Sequence, residues 1–196
     1  MPASHAIHAP TSFRDLKPAN VGFDGQGVLK LFDFGFAVGL PTTAGGEEGL
    51  LYDRCDTPRY MAPEIGLEHG YGLPSDVYSF GILLWEICAL VKPFAAIASP
   101  DEFHLAVFVG GKRPPRKDRW PRAARDLMGD CWAARPARRP AMVEVRAQLA
   151  AAASAKGGGG GGGDGDGRRR RSAMKTLRSS ITNITLRSSI TKKFSL

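Results

Sequence analysis

Three short motifs follow one another in fixed order near the start of this chain: Arg14-Asp15-Leu16-Lys17-Pro18-Ala19-Asn20, Asp33-Phe34-Gly35 and Ala62-Pro63-Glu64. Asp15, Asn20 and Asp33 offer carboxylate and amide oxygens, which are hard donors that suit a hard divalent cation. Asp and Asn also favour loops for local hydrogen-bonding reasons. Ordinary turn formers carry no fixed spacing, however, and these sit inside Asp-Leu-Lys-Pro-Ala-Asn and Asp-Phe-Gly. The intervening chain must bring them together. Val21 to Phe23 and Val28 to Phe32 read as two short strands, with Asp24-Gly25 as a tight-turn dipeptide and Gly27 as a permissive return. Such a hairpin holds Asn20 and Asp33 at the same end.

In order and spacing the three motifs resemble the catalytic loop, the metal-binding loop and the end of the activation segment of a eukaryotic protein kinase. The resemblance implies phosphoryl transfer from ATP, in which the protein supplies positioning and charge neutralisation rather than covalent chemistry. It implies Asp15 as the base that accepts or orients a substrate hydroxyl proton, and Lys17 as the lysine that holds the γ-phosphate. Asn20 and Asp33 become the magnesium ligands. Lys17 stands where tyrosine kinases usually have Ala or Arg, which implies Ser/Thr specificity. Arg14 matches the residue that pairs with a phosphate on the activation segment in kinases switched by phosphorylation. Thr42, Thr43 and Tyr52 are candidate carriers of that phosphate. Thr57 matches the Thr that hydrogen-bonds the catalytic Asp and Lys. The expected cofactors are ATP and Mg2+, and the expected partner is a protein substrate with a Ser or Thr acceptor.

The sequence departs from the family pattern in two places. Phe13 replaces the usual His before Arg-Asp and is expected to pack against Phe34, and Asp56 replaces a usual Gly in the substrate-docking loop. Ser4 to His8 reads as the end of a preceding helix, and Ala9 to Ser12 as a short insertion. His5 and His8 have no third metal-binding residue nearby. Phe36 to Met61 is the expected activation segment. Its first half, through Pro41 and Gly45 to Gly49, is too rich in Gly and acidic residues to form a stable element.

The remaining elements follow from periodicity. Asp76 to Cys88 is apolar nearly all round, which predicts a helix buried on most faces, too short and too interrupted to span a bilayer. By resemblance this helix is the axis of the large lobe, and Asp76 is a scaffold residue that hydrogen-bonds the catalytic-loop backbone. Asp101 to Val109 predicts a short helix. Ala124, Leu127, Met128 and Cys131 repeat at helical spacing, and a last helix from about Ala141 has Met142, Val145 and Leu149 on one side. Arg139 matches the Arg that, by resemblance, forms a buried ion pair with Glu64. Asp-Val-Tyr-Ser-Phe-Gly and the Cys131-Trp132 pair are closest in wording to tyrosine-kinase-like Ser/Thr kinases.

These readings give an α+β, mainly α fold: a kinase-like C-terminal lobe with a short β-hairpin over residues 1–153, then a disordered tail over 154–196. The Gly-rich loop, strand Lys and helix Glu of a small lobe are expected to be missing, since only thirteen residues stand before Arg14. The fragment is therefore expected to be a weak or inactive Ser/Thr kinase. The alternatives are a catalytically silent kinase-like interaction module and a partial gene product. Residues 1–153 carry 17 Lys and Arg against 17 Asp and Glu, while residues 154–196 carry 10 against 2, so the whole +8 excess is in the tail. After a glycine-rich linker, Arg168 to Arg171 and a repeated Thr-Leu-Arg-Ser-Ser-Ile-Thr make a basic segment whose partner would be a polyanion, nucleic acid or anionic membrane. Ser172, Ser179 and Ser188, each close behind an Arg, make regulatory phosphorylation of this segment the other reading. Cys55, Cys88 and Cys131 are odd in number and scattered, which favours a reducing compartment over a disulfide framework. With no transmembrane segment and no secretory signal, the expected location is intracellular, cytoplasmic or nuclear.

Overall fold

The computed structural model describes residues 10–41, 48–53 and 58–154. His5, His8, Thr42, Thr43, Cys55, Asp56, Thr57 and the basic tail lie outside these residues. The described chain is mixed α/β, with five α-helices and four short strands. Strand β1 (Thr11–Ser12) pairs antiparallel with β4 (Val38–Gly39), and β2 (Val21–Phe23) pairs with β3 (Leu29–Leu31) in the register Val21↔Leu31, Gly22↔Lys30, Phe23↔Leu29.

The β2–β3 hairpin turns where the sequence places it. The Asp24 carboxylate accepts from the Gln26 and Val28 amides at 3.0 and 2.9 Å, and Gly27 takes the left-handed φ of +74° that closes the turn. One expectation about the flanking chain changes. Residues 11–12 form a strand, and Val38–Gly39 give the first half of the expected activation segment a regular element. Both strands are two residues long, too short for any alternation to mark them.

Helix α1 (Pro63–Gly66) and the long α2 (Pro74–Ala89) each begin with a proline at the first position, where its missing N–H costs nothing. The α2 core face includes Val77, Tyr78, Ile82, Leu84 and Trp85, and each fully buried aliphatic side chain there contributes about 1.5–3 kcal/mol. The helix ends at Leu90, whose left-handed φ of 57° turns its N–H onto Glu86 O at 2.7 Å. Helix α3 (Pro100–Phe103) starts at a Ser99 side-chain cap and widens directly into a π-helical stretch, His104–Val109. The predicted helix over 101–109 is therefore present but changes pitch halfway. Its Phe108 ring fills the space over Gly66, where a Cβ would stand 2.2 Å from a ring carbon.

Helices α4 (Arg122–Cys131) and α5 (Met142–Ser154) close the core with Leu127, Met128, Cys131, Val145 and Leu149. Met142 lies on the same side of the helix but is exposed at the first position of α5. Trp85 packs edge-on to Trp120 at 6.2 Å and donates its ring N–H to Pro115 O at 2.8 Å. Burial pushes the Cys88 and Cys131 thiols up to about 11 and about 12, which keeps both protonated and inert.

Candidate active site

Lys17 is extended, and Pro18 then starts a single 3-10 turn over Pro18–Asn20. That turn folds the Asn20 side chain back onto the residue five positions earlier. Its Nδ2 donates to Asp15 O at 2.9 Å and to Asp15 Oδ2 at 2.8 Å. Lys17 Nζ lies 2.7 Å from the same Oδ2. Asp15 and Asn20 are both 5% exposed, so one carboxylate oxygen gathers a cation and an amide in a nearly dry setting. The Asn20 carbonyl accepts from the Phe32 amide at 2.9 Å, and this bond brings the Asp33 end of the hairpin to the Asn20 end. Asp33 is exposed, adopts a left-handed φ of 55°, and turns its Oδ1 onto the Gly35 amide at 3.2 Å. The Phe13 and Phe34 rings meet edge to face at 5.2 Å, so Phe13 packs as expected and ties the two loops together.

Asp76 supports the Asp15 loop from below. Its carboxylate accepts from the Phe13 amide at 2.8 Å, the Arg14 amide at 2.8 Å and the Ser12 hydroxyl at 2.9 Å. Burial pushes its carboxyl above the usual range, and these three donors pull it back toward the charged form. They also hold Arg14 at φ 66°, a region that a side chain with a Cβ disfavours. The Arg14 guanidinium pairs with the Asp53 carboxylate and donates to the Tyr71 hydroxyl at 3.1 Å and to Phe36 O at 2.5 Å.

Glu64 and Arg139 meet in a buried ion pair. Arg139 Nη1 and Nη2 reach the two Glu64 oxygens at 2.5 and 2.8 Å, and the Arg139 side chain has no solvent exposure. Arg139 also donates to Pro74 O at 2.9 Å and Ala133 O at 3.0 Å, so one side chain joins α1, α2 and the chain before α5. Its guanidinium lies on one side of the Tyr78 ring at 5.2 Å, and Arg113 also stacks on that ring at 4.9 Å.

The donor set fits a magnesium–phosphate ligand. Magnesium takes one or two protein oxygens and completes its shell with phosphates and water. Asn20 commits its NH2 group inward, which leaves Oδ1 as the atom that could ligate a cation, and Asp33 presents a carboxylate in an exposed loop. Among the described residues no group of three or more His, Cys, Asp or Glu is gathered as an alternative metal centre.

Asp15, Lys17 and Asn20 thus converge in direct contact, Asp33 joins them through the hairpin, and Asp76, Glu64 and Arg139 brace the surroundings. The sequence pattern did not reveal the roles of Ser12, Asp53, Tyr71 or Glu86. Glu86 interrupts the apolar run of α2 because it accepts from the Tyr60 hydroxyl at 2.5 Å. An acidic residue inside an otherwise apolar helix was the only signal for it, and the loop residues gave none.

Residues 4–149 match the protein kinase domain family. Among curated proteins, the dual specificity protein kinase shkE of Dictyostelium discoideum is 33% identical over 138 residues, covering 69% of this chain and 19% of its own length. Mitogen-activated protein kinase kinase kinase 7 of Homo sapiens is 36% identical over 133 residues, covering 67% of this chain and 21% of its own. The dual specificity protein kinase shkB of Dictyostelium discoideum is 34% identical over 147 residues, covering 74% of this chain and 21% of its own. The chain spans about a fifth of the length of these curated relatives.

Proposed function

Because this chain belongs to the protein kinase domain family, we propose that it transfers phosphate from ATP to Ser or Thr of a protein, using Asp15, Lys17, Asn20 and Asp33. The observation that carries the proposal is the contact set at Asp15, whose Oδ2 lies within 2.7 and 2.8 Å of Lys17 and Asn20. Bound magnesium–ATP supplies the phosphoryl group, and magnesium offsets its negative charge. Asp15 orients the incoming hydroxyl and takes its proton at the carboxylate. Lys17 is already within reach of that carboxylate, so a cation stands beside the point where the acceptor oxygen arrives. Asn20 and Asp33 are the residues that hold magnesium, Asn20 through its amide oxygen. Asp76, Glu64 and Arg139 are structural.

The names of the relatives cover both dual specificity and other protein kinases. Lys17 favours Ser/Thr acceptors in this chain, and the motif wording favours the tyrosine-kinase-like group. We read residues 1–153 as the large lobe of the domain. On this reading full activity requires a lobe that covers the nucleotide, and the 196 residues alone transfer phosphate slowly. No helix among the described residues is long and apolar enough to cross a membrane. The basic tail is proposed as a polyanion-binding segment, tested by loss of heparin retention on truncation at Ala153.

The metal assignment has its own test. Manganese–ATP added to isotope-labelled protein should broaden the Asn20 side-chain amide and the Gly35 backbone amide, while the Trp85 ring N–H, deep in the core, stays sharp. The Asp33→Ala variant should lose the broadening. Broadening that persists in that variant would place the metal elsewhere.

A further inference from the structure

Arg14 is the point where the chain carrying Asp15 meets the chain after β4. Its side chain is 9% exposed, and an arginine so far from water needs an anion. Asp53 supplies one, although its own side chain is 62% exposed. Tyr71 fixes where Asp53 sits. It is buried, its backbone exchanges two hydrogen bonds with Leu51 at 2.8 and 3.0 Å, and its hydroxyl donates to Asp53 O at 2.8 Å. The bridge at Leu51 and the Tyr71 hydroxyl bond to Asp53, two residues later, deliver the carboxylate to the guanidinium. Arg14 passes that restraint on, because its backbone amide is one of the three groups held by Asp76 and its neighbour is Asp15. The hydrogen bond from Arg14 holds the Asp53 carboxyl below its usual range.

We propose that Asp53 is a positioning residue for the phosphoryl transfer put forward above: a carboxylate built into the segment holds Arg14, and through it the Asp15 loop, with no phosphate group required at that place. The proposal rests on the kinase reading for its purpose, but the contact itself is measurable without turnover. Aspartate is a permanent acceptor, so the segment is latched as synthesised. Of the candidate phosphate carriers, Tyr52 adjoins Asp53 in sequence and is exposed.

The test is amide hydrogen exchange on the full chain at neutral pH, for the wild type before and after phosphatase treatment and for Asp53→Asn, Asp53→Glu and the loop control Glu48→Gln. Asp53→Asn should speed exchange of the peptide spanning Ser12 to Lys17 about fivefold, the upper end of what a partly exposed charge pair supports. Asp53→Glu should restore the wild-type rate, and neither Glu48→Gln nor phosphatase treatment should change it. The melting temperature should stay near that of the wild type throughout. Exchange in Asp53→Asn equal to the wild type, or a phosphatase-treated wild type as loose as Asp53→Asn, overturns the proposal. Absence of label transfer from ATP would count against the kinase reading alone and would leave this measurement readable.

Discussion

Replacing Glu64 by Ala should destabilise the chain by about 3–5 kcal/mol, because it strands the Arg139 guanidinium without its carboxylate in a buried position. For a chain of this size that corresponds to a melting temperature lower by roughly 10 °C. Arg139 retains the Pro74 and Ala133 carbonyls, but neutral acceptors do not offset a buried charge. Arg139→Lys should also destabilise, since an ammonium cannot span both Glu64 oxygens. Glu48→Ala is the control: Glu48 is exposed, and its removal should fall within about 0.5 kcal/mol of the wild type. Thermal unfolding followed by circular dichroism checks all three. Equal losses from Glu64→Ala and Glu48→Ala would show that the pair does not brace the fold.

Asp15→Asn should lower phosphate transfer by about 10²–10⁴-fold, the range over which a positioned acid or base contributes. The substitution keeps the shape of the side chain but replaces the acceptor that serves both Lys17 and Asn20 with a group that is half donor. The loop itself should persist, because its backbone is held by Asp76 and not by Asp15. The rate of label incorporation should therefore collapse while the melting temperature changes little. A parallel fall in both would point to a structural role for Asp15.

Much of this arrangement is legible in the sequence. The α2 helix announces itself as a run that is apolar nearly all round, and the hairpin as a turn dipeptide with a return glycine. The contact between Glu64 and Arg139, 75 residues apart in sequence, became readable only through family resemblance, since nothing local specifies a partner at that distance. Resemblance also placed Phe13 against Phe34. What stayed hidden is tertiary in origin. Strands β1 and β4 have too few residues to show a period, and the partner of Asp53 depends on how a loop crosses Arg14. The pitch change at His104–Val109 leaves the apolar pattern nearly intact. Periodicity gave the buried face of α5 through Val145 and Leu149, but a period does not say where the covering helix ends, and Met142 lies beyond it.

The most direct test of the central claim is transfer of radiolabel from the γ-phosphate of ATP to a basic protein substrate, with the labelled amino acid identified after hydrolysis. The account predicts magnesium-dependent label on Ser or Thr, accumulating far more slowly than the roughly 1–100 per second of complete kinases, and lost in Asp15→Asn. Label that appears only on Tyr, or that is undiminished in Asp15→Asn, would contradict it.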